Sequence, residues 1–188
     1  MRFRSFSHLG PRGAVRLIAD ARRASRGATL RRRRRTPWGV ELAKRGWQVT
    51  GVDVVPKALR RASERAEKAG VEMRLVEGDV TKLRTTDVGS GFPFLLDFGL
   101  FHDELTDGQR EAMGREVSAV AAPGATLLMV AWAPGRRGPL PRGASRGDIE
   151  AAYLEWQVID EEAVDISGAP FFRFVRKADP RVYRLRHA

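Results

Sequence analysis

Three aspartates stand at or near the ends of short apolar runs, where a nucleotide-binding sheet presents its acidic side chains. Asp53 ends the run GWQVTGVD, Asp79 follows VEMRLVEG, and Asp97 lies within FPFLLDF. In parallel α/β folds, ligands bind outside the carboxyl ends of strands, and an acid there accepts hydrogen bonds from ribose hydroxyls. The alternative for Asp53 is a helix N-cap without a ligand. The position of Asp97 favours a functional role for this residue, because a carboxylate inside an apolar strand is costly unless it has a partner.

The chain offers one histidine near these acids. His102 follows the run that contains Asp97, whereas His8 and His187 are far away in sequence, and there is no cysteine. This composition provides no local metal-ligand motif, so no metal is predicted. His102 is the candidate general base for a protic substrate. The alternative, a loop histidine that is exposed or bonded to backbone, stays open.

The hydrophobic pattern predicts an α/β domain with a Rossmann-like, mostly parallel sheet and helices on both faces. Strands and helices alternate until two closing strands, which are joined by a loop and therefore predicted to be antiparallel. The predicted strands are 46–53, 71–77, 92–98, 125–132, 156–161 and 182–185. The predicted helices are 37–45, 57–68, 107–120 (capped by Thr106) and 148–153.

The basic character of the chain is confined to its first fifth. The formal net charge is +11, and residues 1–36 hold twelve arginines against a single acid, Asp20. Five of these arginines are consecutive, Arg31 to Arg35. Such a block repels itself and predicts disorder or binding to a polyanion. We therefore divide the chain into an Arg-rich irregular or disordered arm, 1–36, and a neutral domain, 37–188.

From Trp38 onward the chain resembles class I S-adenosylmethionine-dependent methyltransferases, and in detail the small bacterial members related to thiopurine methyltransferases. The resemblance is carried by WGVELAKRGWQVTGVDVVPKAL, EGDVTKL, LLDFGLFHDEL, PGATLLMV and GASRGDIEAAY in this order. It implies S-adenosylmethionine as cofactor and in-line methyl transfer to a small molecule. It also implies site residues. Asp53 would hold the ribose; Asp79 and Val80 the adenine; Asp97 and Phe98 the methionine part; and Phe101 and Trp132 would lie on the substrate side.

The chain departs from this family upstream of Trp38. The family carries a first strand that ends in an acid and a Gly-x-Gly-x-Gly turn, whose glycines let the backbone approach the cofactor. Residues 24–36 read ASRGATLRRRRRT instead. We therefore expect the first strand and the glycine loop to be missing or replaced, and the activity to be impaired. One explanation is that residues 1 to about 36 are translated out of frame; the rival is a true basic arm.

Two other functions stay open at this stage. The arm could bind nucleic acid or another polyanion, with the α/β domain as a degenerate, non-catalytic carrier. A nicotinamide-dinucleotide domain would also use Asp53, but no Gly-x-Gly-x-x-Gly follows a strand. No apolar run approaches the length of a membrane span, and no secretory signal is evident. We expect a cytoplasmic protein with a small-molecule methyl acceptor and no membrane partner.

Overall fold

The computed structural model describes residues 14–18, 38–102, 105–135, 142–163 and 180–188, the first of these segments by its backbone. The strands are β1 Ala14–Ile18, β2 Gln48–Asp53, β3 Arg74–Glu77, β4 Phe92–Phe98, β5 Ala121–Trp132, β6 Trp156–Ala163 and β7 Pro180–His187. The helices are α1 Trp38–Lys44, α2 Pro56–Ala69, α3 Asp107–Val120 and α4 Arg146–Ala152, with a 3₁₀ helix at Val80–Thr85.

The described strands form one seven-stranded sheet in the order β3-β2-β1-β4-β5-β7-β6. Strands β1 to β5 pair in parallel, and β7 is antiparallel to both β5 and β6. The predicted fold class is confirmed, as is the antiparallel pairing of the two closing strands. The strand order reverses at β1, because β2 and β3 lie on one side of it and β4 and β5 on the other. Such a switch point is where open α/β sheets bind their ligands.

The expectation that the first strand is missing is wrong. Ala14–Ile18 lies between β2 and β4, with Ile18 level with Val52 on one side and with Asp97 on the other. The strand lies at 14–18, upstream of the expected position at 24–36, and its sequence signal is weak because AVRLI is short and carries an arginine at its centre. The segment 1–36 is therefore not irregular throughout. The glycine loop and the Arg31–Arg35 block lie outside the described residues.

Two apolar layers cover the two faces of the sheet. Alternation along the strands divides the core: Leu95 and Leu127 face the layer built with α3 and α4, whereas Phe94, Leu96 and Leu128 face the layer that contains Leu42 of α1. This period of two is what a strand buried on both faces requires. The helices therefore cover both faces of the sheet. Its carboxyl edge is formed by the loops that follow the strands.

The helix ends were largely predictable. Helix α2 ends at Gly70, whose φ of 65° is left-handed, and α3 begins with a capping box between Thr106 and Gln109. Strand β5 begins earlier than predicted, since Ala121 already pairs with Phe92 before an irregularity in register leads to the pair Phe94–Thr126. None of the helices in the described ranges has the length and apolar character needed to cross a membrane.

Helix α3 and the end of α4 meet at a glycine. A Cβ at Gly114 would lie 1.8 Å from the carbonyl oxygen of Ala152. We expect Gly114→Ala to lower the free energy of unfolding by about 1–3 kcal/mol, because overpacking forces the helices apart. Urea unfolding followed by circular dichroism measures the change.

The matched control is Gly108→Ala on the same helix, where a Cβ would meet nothing within 4 Å. There we expect a change below about 1 kcal/mol, in the stabilising direction, because alanine favours a helix over glycine. Equal losses in both variants would contradict the packing argument.

Candidate functional site

Asp53 is the last residue of β2, at the carboxyl edge of the sheet and next to the switch point. Its carboxylate is 8% exposed, and Oδ1 accepts a hydrogen bond of 2.8 Å from the backbone N–H of Val55. Val55, not Asp53, is the N-cap of α2. The alternative role of Asp53 as a helix N-cap is therefore wrong. The short turn fixes the carboxylate at the place where the sequence predicted a ribose acceptor.

Asp79 and Val80 follow β3 at the same edge. The exposed Asp79 is the N-cap of the 3₁₀ helix, and its Oδ1 accepts from the backbone N–H and the hydroxyl of Thr81, at 2.8 and 2.7 Å. Val80 is buried at 6% exposure and belongs to the apolar layer beneath. Asp79 therefore has a structural bond through one oxygen, which is compatible with an adenine contact and does not require one.

Asp97 lies near the end of β4, beside β1, and is fully buried. Its Oδ1 accepts from the N–H of Leu100 at 2.9 Å and its Oδ2 from the N–H of Phe101 at 3.1 Å. Burial raises the pKa of this carboxyl to about 7, against the effect of the backbone N–H groups of Leu100, Phe101 and Gly99. The partners of this buried carboxylate are therefore backbone N–H groups of the loop that follows β4.

The three predicted aromatic residues have different surroundings. The ring of Phe98 is half-buried and lies 5.8 Å from the ring of Trp38. Phe101 is fully buried among core residues, 5.6 Å from Tyr153, so its predicted place on the substrate side finds no support. Trp132 ends β5, is half-buried and stacks on His102 with centroids 5.6 Å apart.

His102 is 5% exposed, and its Nδ1 lies 3.2 Å from the carbonyl oxygen of Val130. Nδ1 is therefore the protonated nitrogen of a neutral ring. Burial lowers the pKa of His102 to about 4, and the positive charge of Arg110 lowers it further, while the bond to Val130 opposes both. Such a ring accepts a proton weakly at neutral pH. The role of general base stays a prediction, and the geometry favours the alternative of a histidine bonded to backbone.

Arg110 is a buried charged residue of this region that was not among the predicted site residues. This arginine is 2% exposed, donates from Nη2 to the carbonyl oxygen of Gly143 at 2.7 Å, and lies 4.9 Å from the ring centroid of Phe101. A signal for it was present, because Arg110 precedes Met113, Val117 and Val120 at helical spacing and so falls on the apolar face of α3. A cation in such a stripe requires a buried partner.

The donor set at the carboxyl edge fits an adenosyl group. Asp53 and Asp79 offer carboxylate oxygens, which are acceptors, and the ribose diol and the adenine amine are donors. Within the described residues, no three acidic or histidine side chains are grouped as metal ligands. These acceptors are the kind that the ribose diol and the adenine amine of an adenosyl group require.

Comparison with known proteins agrees with this chemistry. Residues 37–124 match a protein family described as "Methyltransferase domain". No curated protein matches the chain. The match covers less than half of the chain and agrees with the predicted S-adenosylmethionine-dependent methyltransferase and its cofactor. It does not extend to the thiopurine-related subtype, which stays a prediction.

Solved structures share the fold at low sequence identity. N-methyltransferase NodS from Bradyrhizobium japonicum, in complex with S-adenosylhomocysteine, is 16% identical, with a TM-score of 0.68 over 93% of this chain and 78% of its own. A methyltransferase from Methanosarcina mazei is 15% identical, with a TM-score of 0.70 over 100% and 99%. The 1,6-didemethyltoxoflavin-N1-methyltransferase of Burkholderia thailandensis is 21% identical, with a TM-score of 0.64 over 97% and 74%.

Proposed function

We propose that this methyltransferase domain transfers the methyl group of S-adenosylmethionine to a small molecule by in-line displacement. The observation that carries the proposal is the position of Asp53 and Asp97 on either side of β1, at the carboxyl edge where the strand order reverses. The solved relatives that share this fold include one with a bound small-molecule acceptor and S-adenosylhomocysteine. Substrates of this class are therefore the first to test.

Different residues at the carboxyl edge would contact different parts of the cofactor. Asp53 would accept from the ribose hydroxyls, Asp79 from the adenine amine, and Val80 would pack near the adenine face. Phe98, half-buried at the end of β4, would border the methionine part. Asp97 would act on the same region through the turn that it holds, because both of its oxygens already accept backbone N–H groups.

S-adenosylmethionine supplies an electrophilic methyl group on a sulfonium sulfur. The protein has to align this group with the acceptor and keep water away, which is a matter of position. The loops after β4 and β5 are the elements that would do so, since they follow the strand ends on the far side of the switch point from Asp53.

Asp53→Ala tests the ribose contact. We expect the dissociation constant for S-adenosylhomocysteine to rise by about ten- to a hundredfold, the effect of losing about 1–3 kcal/mol of hydrogen bonding to a charged group. The substitution is made in a variant with a restored glycine turn, in which binding is expected to be tight enough for isothermal titration to measure the change.

The matched control is Glu72→Ala, an exposed carboxylate that precedes β3 at the opposite end of the sheet. Its affinity should equal that of the parent. Unchanged affinity in Asp53→Ala would remove Asp53 from the site. Absence of binding in both the natural chain and the turn-restored variant, at millimolar ligand, would overturn the proposed function.

Three finer points belong to the proposal. The chain belongs with the small bacterial enzymes related to thiopurine methyltransferases, the protein acts in the cytoplasm, and the natural chain is impaired. A screen of thiol, amine and hydroxyl acceptors with labelled S-adenosylmethionine tests the first.

Nucleic-acid binding through Arg31–Arg35 is the rival function, and salt-sensitive binding that is lost on deletion of residues 1–13 and 19–36 would support it.

A further inference from the structure

The loops that follow β4 and β5 are hydrogen-bonded to each other at Gly143. We propose that Arg110, Gly143 and His102 form a positioning cluster that fixes these two loops against each other and so sets the wall on the methyl-acceptor side. Arg110 and His102 are positioning residues in this cluster, and the proposal rests on the proposed function for the meaning of that wall. The contacts that make up the cluster are within the protein chain and do not require a bound ligand.

Gly143 joins both loops through its backbone. Its N–H donates to the carbonyl oxygen of His102 at 3.0 Å, and its own carbonyl oxygen accepts from Arg110. Its φ is 82°, and a Cβ would lie 2.5 Å from the carbonyl oxygen of Ala133. Only glycine fits this place without strain. The next residue continues the connection, because the N–H of Ala144 donates to the carbonyl oxygen of Trp132 at 2.8 Å.

Arg110 supplies the side chain of the cluster. Its guanidinium touches the loop after β4 through the ring of Phe101 and the loop after β5 through Gly143. Nε and Nη1 are buried without a hydrogen-bond partner. A buried cation with one hydrogen bond is costly, so stability alone does not explain it. Its use is to connect three elements that are distant in sequence.

His102 completes the cluster from the other side. Its ring lies between Trp132, on which it stacks at an interplanar angle of 16°, and Gly99, where a Cβ would lie 3.1 Å from Cε1. Nδ1 donates to Val130 on β5, and the backbone carbonyl accepts from Gly143. Ring and backbone of one residue thus connect the end of β4 to both the strand and the loop of β5.

Arg110→Met tests the cluster, because methionine keeps much of the length and removes the charge and the donors. With ¹⁵N-resolved hydrogen exchange on the full chain without ligand, we expect the amides of Gly143 and Ala144 to exchange at least ten times faster. Exchange at Leu127 and Leu128 in β5 should stay within twofold. Arg110→Lys, which retains a charged donor, should restore much of the protection. The affinity of the turn-restored variant for S-adenosylhomocysteine should stay within twofold, because the cluster lies on the acceptor side.

The matched control is Arg115→Met on the same helix, where the side chain is 64% exposed and its ion pair with Glu111 is 4.0 Å long. It should leave every amide unchanged. Uniform acceleration throughout the domain in Arg110→Met would mean that Arg110 is merely structural, and unchanged exchange at Gly143 would mean that no cluster exists. Either result overturns the proposal. Failure of both the natural chain and the turn-restored variant to bind S-adenosylhomocysteine would refute the proposed function instead, and it would leave this result intact because the exchange is measured without ligand.

Discussion

A variant in which residues 19–36 are replaced by an acid and a Gly-x-Gly-x-Gly turn is expected to bind S-adenosylhomocysteine at least about a hundredfold more tightly than the natural chain. The turn would follow Ile18 directly, at the edge that also holds Asp53 and Asp97. Each backbone or charge-assisted contact recovered there contributes about 1–3 kcal/mol, and two of them suffice for two powers of ten. Isothermal titration of both proteins measures the difference.

The control replaces the three glycines of the new turn by alanine and keeps its length and its acid. Alanine carries a Cβ where the backbone must approach the ligand, so affinity should fall back toward that of the natural chain. Micromolar binding by the unaltered 188-residue chain would show that its residues 19–36 already provide these contacts, and that the predicted impairment is wrong.

Because β1 is present, a shorter part of the chain departs from the family pattern. AVRLI occupies the central place of the sheet. The part of the sequence that departs from the family is therefore residues 19–36, ADARRASRGATLRRRRRT. We propose that this segment is translated out of frame, as an arginine-rich product of a GC-rich gene would be. The other two frames of the coding DNA should then contain an acid and a Gly-x-Gly-x-Gly turn. If neither frame contains them, the segment is a true basic arm.

The second large effect concerns Asp97 and pH. Burial raises the pKa of Asp97 in the folded protein to about 7, above its usual value of 3.8, so the folded state binds this proton more tightly than the unfolded chain does. The resulting stability is fully present below pH 3.8 and is lost as the pH rises to about 7. Roughly three pKa units correspond to about 4 kcal/mol. Asp97→Asn should remove this part of the pH dependence.

We therefore expect the stability of Asp97→Asn relative to the natural chain to be higher at pH 8 than at pH 5, on top of a loss at every pH because the amide nitrogen cannot accept one of the two backbone N–H groups. Urea unfolding at several pH values between 4.5 and 8 measures both proteins. Asp160→Asn is the control, since Asp160 is an exposed carboxylate paired with Arg184 at the edge of the sheet. A constant difference between Asp97→Asn and the natural chain at all pH values would contradict the assignment.

The elements with strong local signals were predictable from sequence. Helix α3 has a capping residue, Thr106, and a continuous apolar stripe, and β4 is an apolar run bounded by polar and glycine-rich loops. Asp53 could be placed because a strand end is visible in the pattern VTGVD. In each case the residues that decide the structure are neighbours in the chain.

The rest depends on contacts between residues far apart in sequence. The bond between Arg110 in α3 and Gly143 spans 33 residues, and although helical spacing puts Arg110 on an apolar face, nothing in the sequence indicates which residue is its partner. Phe101 looks like a loop residue, and only its contacts with distant core residues such as Tyr153, at the end of α4, make it part of the core. For Asp97 the sequence correctly indicated a partner but not its kind, because backbone N–H groups of a following turn leave no signature in residue types.

The sheet order has a consequence for the sequence of events in folding. Strand β6 precedes β7 in the chain but lies outside it, so in the described sheet β6 reaches β5 only through β7. During synthesis, β6 leaves the ribosome with no neighbour to pair with, while β5 exposes one open edge. Pairings between distant segments form slowly. The last strand must therefore enter between two strands made before it, and until it does, β5 and β6 both present unpaired edges on which a chaperone, or another nascent chain, can act.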